Sequence, residues 1–416
     1  MPEFRWDRLL RVVALIGAVA AGAAQEERRQ ILTEIEKSLR ALQEITGLEA
    51  KKSIRYDLIT RDKVNLFLKD RVKESVKPEE LRAEELTLKK LGFAPPDFNL
   101  EKSTVDLLTE QAAAFYDYHK KKLFLTEWSP SAMQQTALTH ELAHALADQN
   151  FNLERFIRQG GKSDDSGLAR MAVMEGQATW LMTEVLARSA GQSLVSNPGL
   201  LEVANGAAEA GASQFPIFNS VPLYLRETLV FPYTEGSRFN NAVVQKMGKA
   251  AFSEVFRRPP ETSQQILHPA KYFDGAPPTA PAFPEVALGK GYKELVEGML
   301  GELDHAILIR QYGTTAQADS IAPHWKGGRY SLLESKKAGR LVLRYVSEWD
   351  SPETAREFFG FYPQVLRKKW KKMEISRETG DTISGTGDDG YFLVRLNGAL
   401  VSSVEGLESA AGGAIK

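Results

Sequence analysis

The chain has 416 residues, 43% of them apolar and 26% charged, and it contains no cysteine. That is the composition of a globular protein, long enough for two or three domains or for one large domain beside a small one. Fifty-three Lys and Arg against 54 Asp and Glu leave a formal net charge of -1. No nucleic-acid partner is therefore expected, and the missing cysteine excludes disulfides, thiolate metal sites, a cysteine nucleophile and a lipid-bearing cysteine together.

At the amino terminus Arg5, Arg8 and Arg11 precede an apolar run from Val12 to Ala24, with Ala21-Gly22-Ala23 as a small-x-small cleavage pattern. This is the outline of a signal peptide over residues 1–24, too short in its apolar part to span a bilayer as a helix. The expectation is a periplasmic or secreted protein with no lipobox cysteine and no stable membrane span after cleavage.

From Gln25 to Leu48, Ile31, Ile35, Leu39 and Leu42 recur at helical spacing. Ser53–Thr60 alternates like a strand, Asp62 caps a helix to Arg71, and Pro78 opens another to Leu91. Ala112–Tyr118 and Lys122–Thr126 read as a hairpin around His119-Lys120-Lys121, followed by a helix over 130–150. Asp164, Asp165 and Ser166 cap a long helix to about Ala190, and further helices are expected at 198–211 and 235–256.

Gly275–Pro284 is the best linker candidate. Beyond it a helical piece over 292–312 leads into strand-like runs at 329–334 and 340–348, a helix from Pro352 to Lys369, and strand-like runs at 372–377, 391–396 and 399–404. The expected fold class is α+β: a mainly helical domain over 25–285 with a small antiparallel sheet, then a small α+β domain over 286–416. Trp325, between His324 and Gly327-Gly328, is expected in the core at a tight turn entering a strand.

The chemistry concentrates in Thr139-His140-Glu141-Leu142-Ala143-His144, inside the helical pattern. Residues four apart stand one turn above each other, so both imidazoles face one point and Glu141 lies on nearly the same flank. Two imidazoles at that spacing suit tetrahedral Zn²⁺, with Glu141 placed to take a proton from water rather than to bind the ion. With six histidines in 416 residues, chance would produce such a string in only about one chain in 200.

The third ligand must be a carboxylate or histidine. Glu175 is the only acidic residue in the largely apolar stretch from Leu168 to Met182, and a buried carboxylate needs a partner. Asp148, Asp164 and Asp165 are the alternatives, and a salt bridge to Arg170 or Arg188 is the non-metal alternative for Glu175. Gly176 beside it suggests that a neighbouring helix or ligand approaches closely.

With His-Glu-x-x-His on one helix and Glu-Gly-x-Ala on the next long one, the sequence resembles the gluzincin branch of the zincin metallopeptidases. More weakly, Leu229-Val-Phe-Pro-Tyr-Thr-Glu-Gly236 with Phe239, and Ile266-Leu-His-Pro-Ala-Lys-Tyr272, are similar to segments of secreted bacterial proteins of this type. The resemblance, which spans about residues 110–275, implies a zincin-like domain and a zinc-dependent hydrolase of peptides or proteins, with Glu141 as general base. It further implies that a Tyr or His stabilises the oxyanion and that the strand around Tyr116 aligns an extended peptide. Tyr233 and His268 are the two oxyanion candidates, and spacing does not choose between them. The alternative function is a non-catalytic extracytoplasmic binding protein on the same scaffold.

Overall fold

A computed structural model describes residues 21–60, 62–63, 66, 77–111, 114–126, 131–161, 163–286, 288, 291–335 and 339–409. Most of the signal-peptide segment and most of the helix expected over 62–71 lie outside these. No helix among the described residues is long and apolar enough to cross a membrane.

The architecture is mixed α+β. Its helical part begins with α1 (Ala21–Thr46), β1 (Arg55–Ile59), α2 (Pro78–Leu91), α3 (Leu100–Gln111) and a hairpin of β2 (Ala114–Asp117) and β3 (Lys122–Thr126). It continues with α4 (Ser131–Phe151), α5 (Leu153–Gln159), α6 (Asp164–Ser189), α7 (Gly199–Ala212), α8 (Pro216–Ser220) and α9 (Leu223–Met247). Three short helices, α10 (Ala251–Arg257), α11 (Ser263–Leu267) and α12 (Pro269–Asp274), close it.

The small sheet is mixed rather than antiparallel as expected: β3 pairs with β2 antiparallel but with β1 in parallel, in the order β1-β3-β2. A parallel pair needs a long crossover, and α2 and α3 supply it between β1 and β3. This leaves β2 at the end of the sheet, against α4.

The rest comprises β4 (Tyr292–Met299), α13 (Glu302–Tyr312), α14 (Thr315–Ile321), β5 (Trp325–Ser335), β6 (Leu341–Trp349), α15 (Pro352–Lys369), β7 (Met373–Glu378), β8 (Thr382–Gly387), β9 (Gly390–Asn397) and β10 (Leu400–Leu407). Seven strands form one antiparallel sheet in the order β4-β5-β6-β10-β9-β8-β7. The helix expected over 292–312 is a strand followed by a helix. Residues 292–299 pair along β5 instead, and Gly298 lies where a Cβ would meet the Tyr330 hydroxyl at 2.5 Å. Strand β8, Thr-Ile-Ser-Gly-Thr-Gly, is not among the expected strands because its two glycines weaken the signal of its β-branched residues; β7 and β9 pair with it on both sides.

One contiguous buried cluster runs from Leu42, Leu142 and Phe239 to Leu332, Tyr345 and Phe358. The linker candidate is irregular but fastened: the Thr279 N–H donates to the Lys326 carbonyl at 2.8 Å, and Arg329 and Arg344 lie over the Phe283 ring at 4.4 and 4.7 Å. Trp325 is buried at its turn, while His324 pairs with Asp350 at 2.7 Å.

Where α6 begins, its acidic first turn meets the amino end of α13. Asp165 accepts the Ser263 N–H at 3.1 Å, Asp304 accepts from the Tyr224 hydroxyl at 2.8 Å, and Tyr330 donates to Asp164 at 2.9 Å. Burial pushes the Asp165 carboxyl up to about 7, with the charge of Asp304 adding to it and Ser263 opposing. The folded chain thus holds this proton more tightly than the unfolded chain does. Its contribution to stability is full below about pH 4 and is lost as pH rises to about 7. The Asp165→Asn variant should flatten that decline, read as urea midpoints between pH 4.5 and 7.5. Parallel profiles for variant and parent would refute this account.

Candidate metal and catalytic site

Helix α4 carries His140, Glu141 and His144, and α6 carries Glu175, so the site is assembled by the packing of these two helices. The two Nε2 atoms lie 3.0 Å apart, and Glu175 Oε2 lies 3.0 Å from His140 Nε2 and 3.1 Å from His144 Nε2. Glu141, His144 and Glu175 are buried and the His140 side chain is 12% exposed. His140, Glu141 and His144 also offer ligand-type atoms within 4.8 Å of one another.

Ligands placed 2.0–2.1 Å from a tetrahedral ion stand about 3.3 Å apart. The observed triangle therefore needs adjustments of only a few tenths of an ångström, and its two nitrogens and one carboxylate oxygen suit Zn²⁺. A single cation would satisfy three lone-pair-bearing atoms that their own protons serve poorly in so small a space.

The carboxylates are differentiated by their surroundings. Burial alone would raise the Glu175 carboxyl, but the two imidazoles outweigh it and hold the group well below the usual carboxylate range. Glu141 is pushed up to about 8, chiefly by burial; His140 opposes the rise and the Glu175 charge adds to it. A cation at the three ligand atoms would draw it down again. One oxygen of Glu141 is held by the Tyr116 N–H at 2.8 Å, which ties the carboxylate to β2.

Gly176 and Gly236 explain how α9 reaches the site. A Cβ on Gly176 would lie 2.0 Å from the Gly236 carbonyl carbon, and one on Gly236 would lie 2.3 Å from the Ala172 carbonyl oxygen. The two backbones touch because neither residue has a side chain. The Asn240 amide fastens the crossing by donating to the Val173 carbonyl at 3.3 Å.

Tyr233, one turn before Gly236, is thereby brought to His140 and the candidate ligands. Its ring stacks on that of His140 with centroids 6.1 Å apart. Burial and the charges of Glu175 and Glu141 keep the phenol protonated far above its ordinary value. The helix expected to start at 235 thus begins at Leu223 and carries Pro232 in its interior. The missing proline N–H deprives the Thr228 carbonyl of its helical donor, a defect tolerated because α9 is packed against α6.

The other candidates lie elsewhere. His268 Nε2 is 2.7 Å from Glu302 Oε1, at the amino end of α13; it is not gathered with His140, His144 and Glu175. Asp164 and Asp165 take Tyr330 and Ser263. Asp148, an alternative third ligand, is engaged elsewhere: it accepts from the Tyr116 hydroxyl and from Lys121 at 2.8 Å each and from the Leu153 N–H at 2.9 Å. Of the arginines weighed as partners for Glu175, Arg188 pairs with Glu184 and Arg170 donates to the Phe156 carbonyl.

Two contributions were not read from the sequence, the Tyr116 main-chain N–H and Gly236. The first has no side-chain signature. The second carried one, since a Glu-Gly pair occurs in both helices.

A family model described as a domain of unknown function (DUF8575) matches residues 287–416, which lie beyond the site. Comparison with curated proteins and with solved structures finds no match.

Proposed function

We propose that this chain is an exported zinc-dependent peptidase of the gluzincin type, acting on peptide or protein substrates. The observation that carries the reading is the convergence of His140, His144 and Glu175 at 3.0–3.1 Å, with Glu141 buried alongside and bound elsewhere. These three residues would hold Zn²⁺, which supplies Lewis acidity to water and to a substrate carbonyl.

Glu141 takes the proton from the attacking water and delivers it to the leaving nitrogen as the peptide bond breaks. The Tyr116 N–H fixes the orientation of that carboxylate. Tyr233, which keeps its proton, donates a hydrogen bond to the developing oxyanion. His268 is left out of the chemistry because Glu302 engages it. All four residues of strand β2 are buried and its Tyr116 N–H is taken by Glu141, so β2 positions the carboxylate and is not the strand along which an extended peptide lies.

The test is elemental analysis of the purified protein beside His140→Ala and His144→Ala, followed by a peptide-library cleavage assay. Zinc in the parent, lost in both variants, together with zinc-dependent cleavage, is the expected result. Failure to bind any divalent ion after zinc is supplied would remove the reading at its root. Tyr233→Phe should keep the metal and KM while lowering kcat by about 10²–10³-fold, the usual cost of one oxyanion donor. An unchanged kcat would assign Tyr233 to packing alone.

A further inference from the structure

On the flank of α9 away from its crossing with α6, a cavity of about 410 Å³ opens between α8, α9, α11 and α13. Its walls are apolar where Phe218, Leu223, Val230, Phe231, Leu267 and Leu303 line it. That volume falls within the range of sites that enclose small organic ligands.

The charged residues at this cavity do not cancel evenly. Arg310 is engaged by Glu227, with its Nε 3.1 Å from Glu227 Oε1, and Glu235 is held by Arg238 at 2.5 Å. Glu209 is exposed, at the rim. Arg226 enters no ion pair among the described residues, and its Nε is buried without a hydrogen-bond partner. The Arg226 side chain is only half-buried, but a buried Nε–H left unmatched beside apolar walls is a costly arrangement that an anionic ligand would relieve.

We infer that this cavity binds an amphipathic monocarboxylate, with the carboxylate on Arg226 and the apolar body against Leu223, Val230 and Leu303. A guanidinium and a carboxylate match in charge and in planar donor geometry. A doubly charged phosphate is disfavoured, because Arg226 is the one cation lining the cavity outside an ion pair among the described residues, Arg310 being engaged by Glu227. A neutral apolar molecule would leave Arg226 Nε as it is. The carboxylate can come from a fatty acid or from the free C-terminus of a peptide ending in an apolar residue.

The test is calorimetric titration of the full chain in the presence of a chelator, so that no carboxylate is read at a metal ion. The probes are dodecanoate, acetyl-Leu-Phe as the free acid, and acetyl-Leu-Phe amide. At least one acid is expected to bind, with the amide at least about tenfold weaker than its acid, since a charge-assisted hydrogen bond is lost. Binding of dodecanoate alone identifies a fatty acid as the source, and binding of the peptide acid alone identifies a C-terminus. Arg226→Gln should weaken the acid by a similar factor, and Val230→Trp, which fills the cavity, should abolish binding. The inference falls if neither acid binds at millimolar concentration, if acid and amide bind equally, or if a folded Arg226→Gln variant binds like the parent. Should that variant fail to fold, the acid and amide comparison on the parent decides alone.

Discussion

The Glu141→Gln variant is expected to retain the metal content and melting temperature of the parent while losing peptide hydrolysis by about 10²–10⁴-fold, the range for removal of a general base. Gln preserves the side-chain length and still offers an oxygen to the Tyr116 N–H, so the link between α4 and β2 survives. What disappears is the ability to take a proton from water. The metal measurement separates two roles that neighbouring carboxylates can exchange. If zinc is lost together with activity, Glu141 is a ligand, and the division of labour with Glu175 is wrong. If hydrolysis continues at the parental rate, Glu141 is not the base. If both variant and parent bind zinc and neither cleaves any peptide, the non-catalytic scaffold becomes the better description.

A comparably large effect, on stability, is expected at the helix crossing. Gly176→Ala would put a methyl carbon 2.0 Å from the Gly236 carbonyl carbon and 2.3 Å from its oxygen. Both obstacles are backbone, so no rotamer change relieves the clash, and α6 and α9 must part. Overpacking of this kind costs about 3 kcal/mol or more, measurable by denaturant unfolding. Gly236→Ala meets the Ala172 carbonyl in the same crossing. The double variant should therefore lose less than the sum of the singles, because the first methyl has already separated the helices. Zinc affinity should weaken in parallel, since Glu175 precedes Gly176 directly and Tyr233 rides on α9. Gly206→Ala is the control. Its Cβ would meet nothing within 4 Å, and in an exposed helix the exchange should gain about 0.5–1 kcal/mol. A Gly176→Ala variant as stable as the parent would show that the two backbones are not in contact.

Local pattern and spacing carried several readings directly. The hairpin, seen at 114–126, the long helix after Asp164 and the i, i+4 pair of histidines follow from alternation, capping and helical pitch, all of which act within a few residues. Glu175 stood out because a lone carboxylate in an apolar helix requires a partner. The expected helix over 292–312 failed for the converse reason. Tyr292–Met299 gains more from pairing along β5 than from its own helical pattern, and nothing within 292–299 itself tells that a strand some thirty residues later will pair with it.

What the sequence determined by itself was the presence of a two-histidine helix, a carboxylate in an apolar helix that needs a partner, and a glycine marking a close approach. The tertiary structure alone decided which groups meet. It set three candidate ligand atoms 3.0–3.1 Å apart, held Glu141 through a main-chain N–H, brought Tyr233 to His140, and engaged His268 with Glu302. The physical reason is that each of these contacts joins segments tens of residues apart. Their geometry is set by the packing of α4, α6 and α9 as bodies, which no window of neighbouring residues encodes.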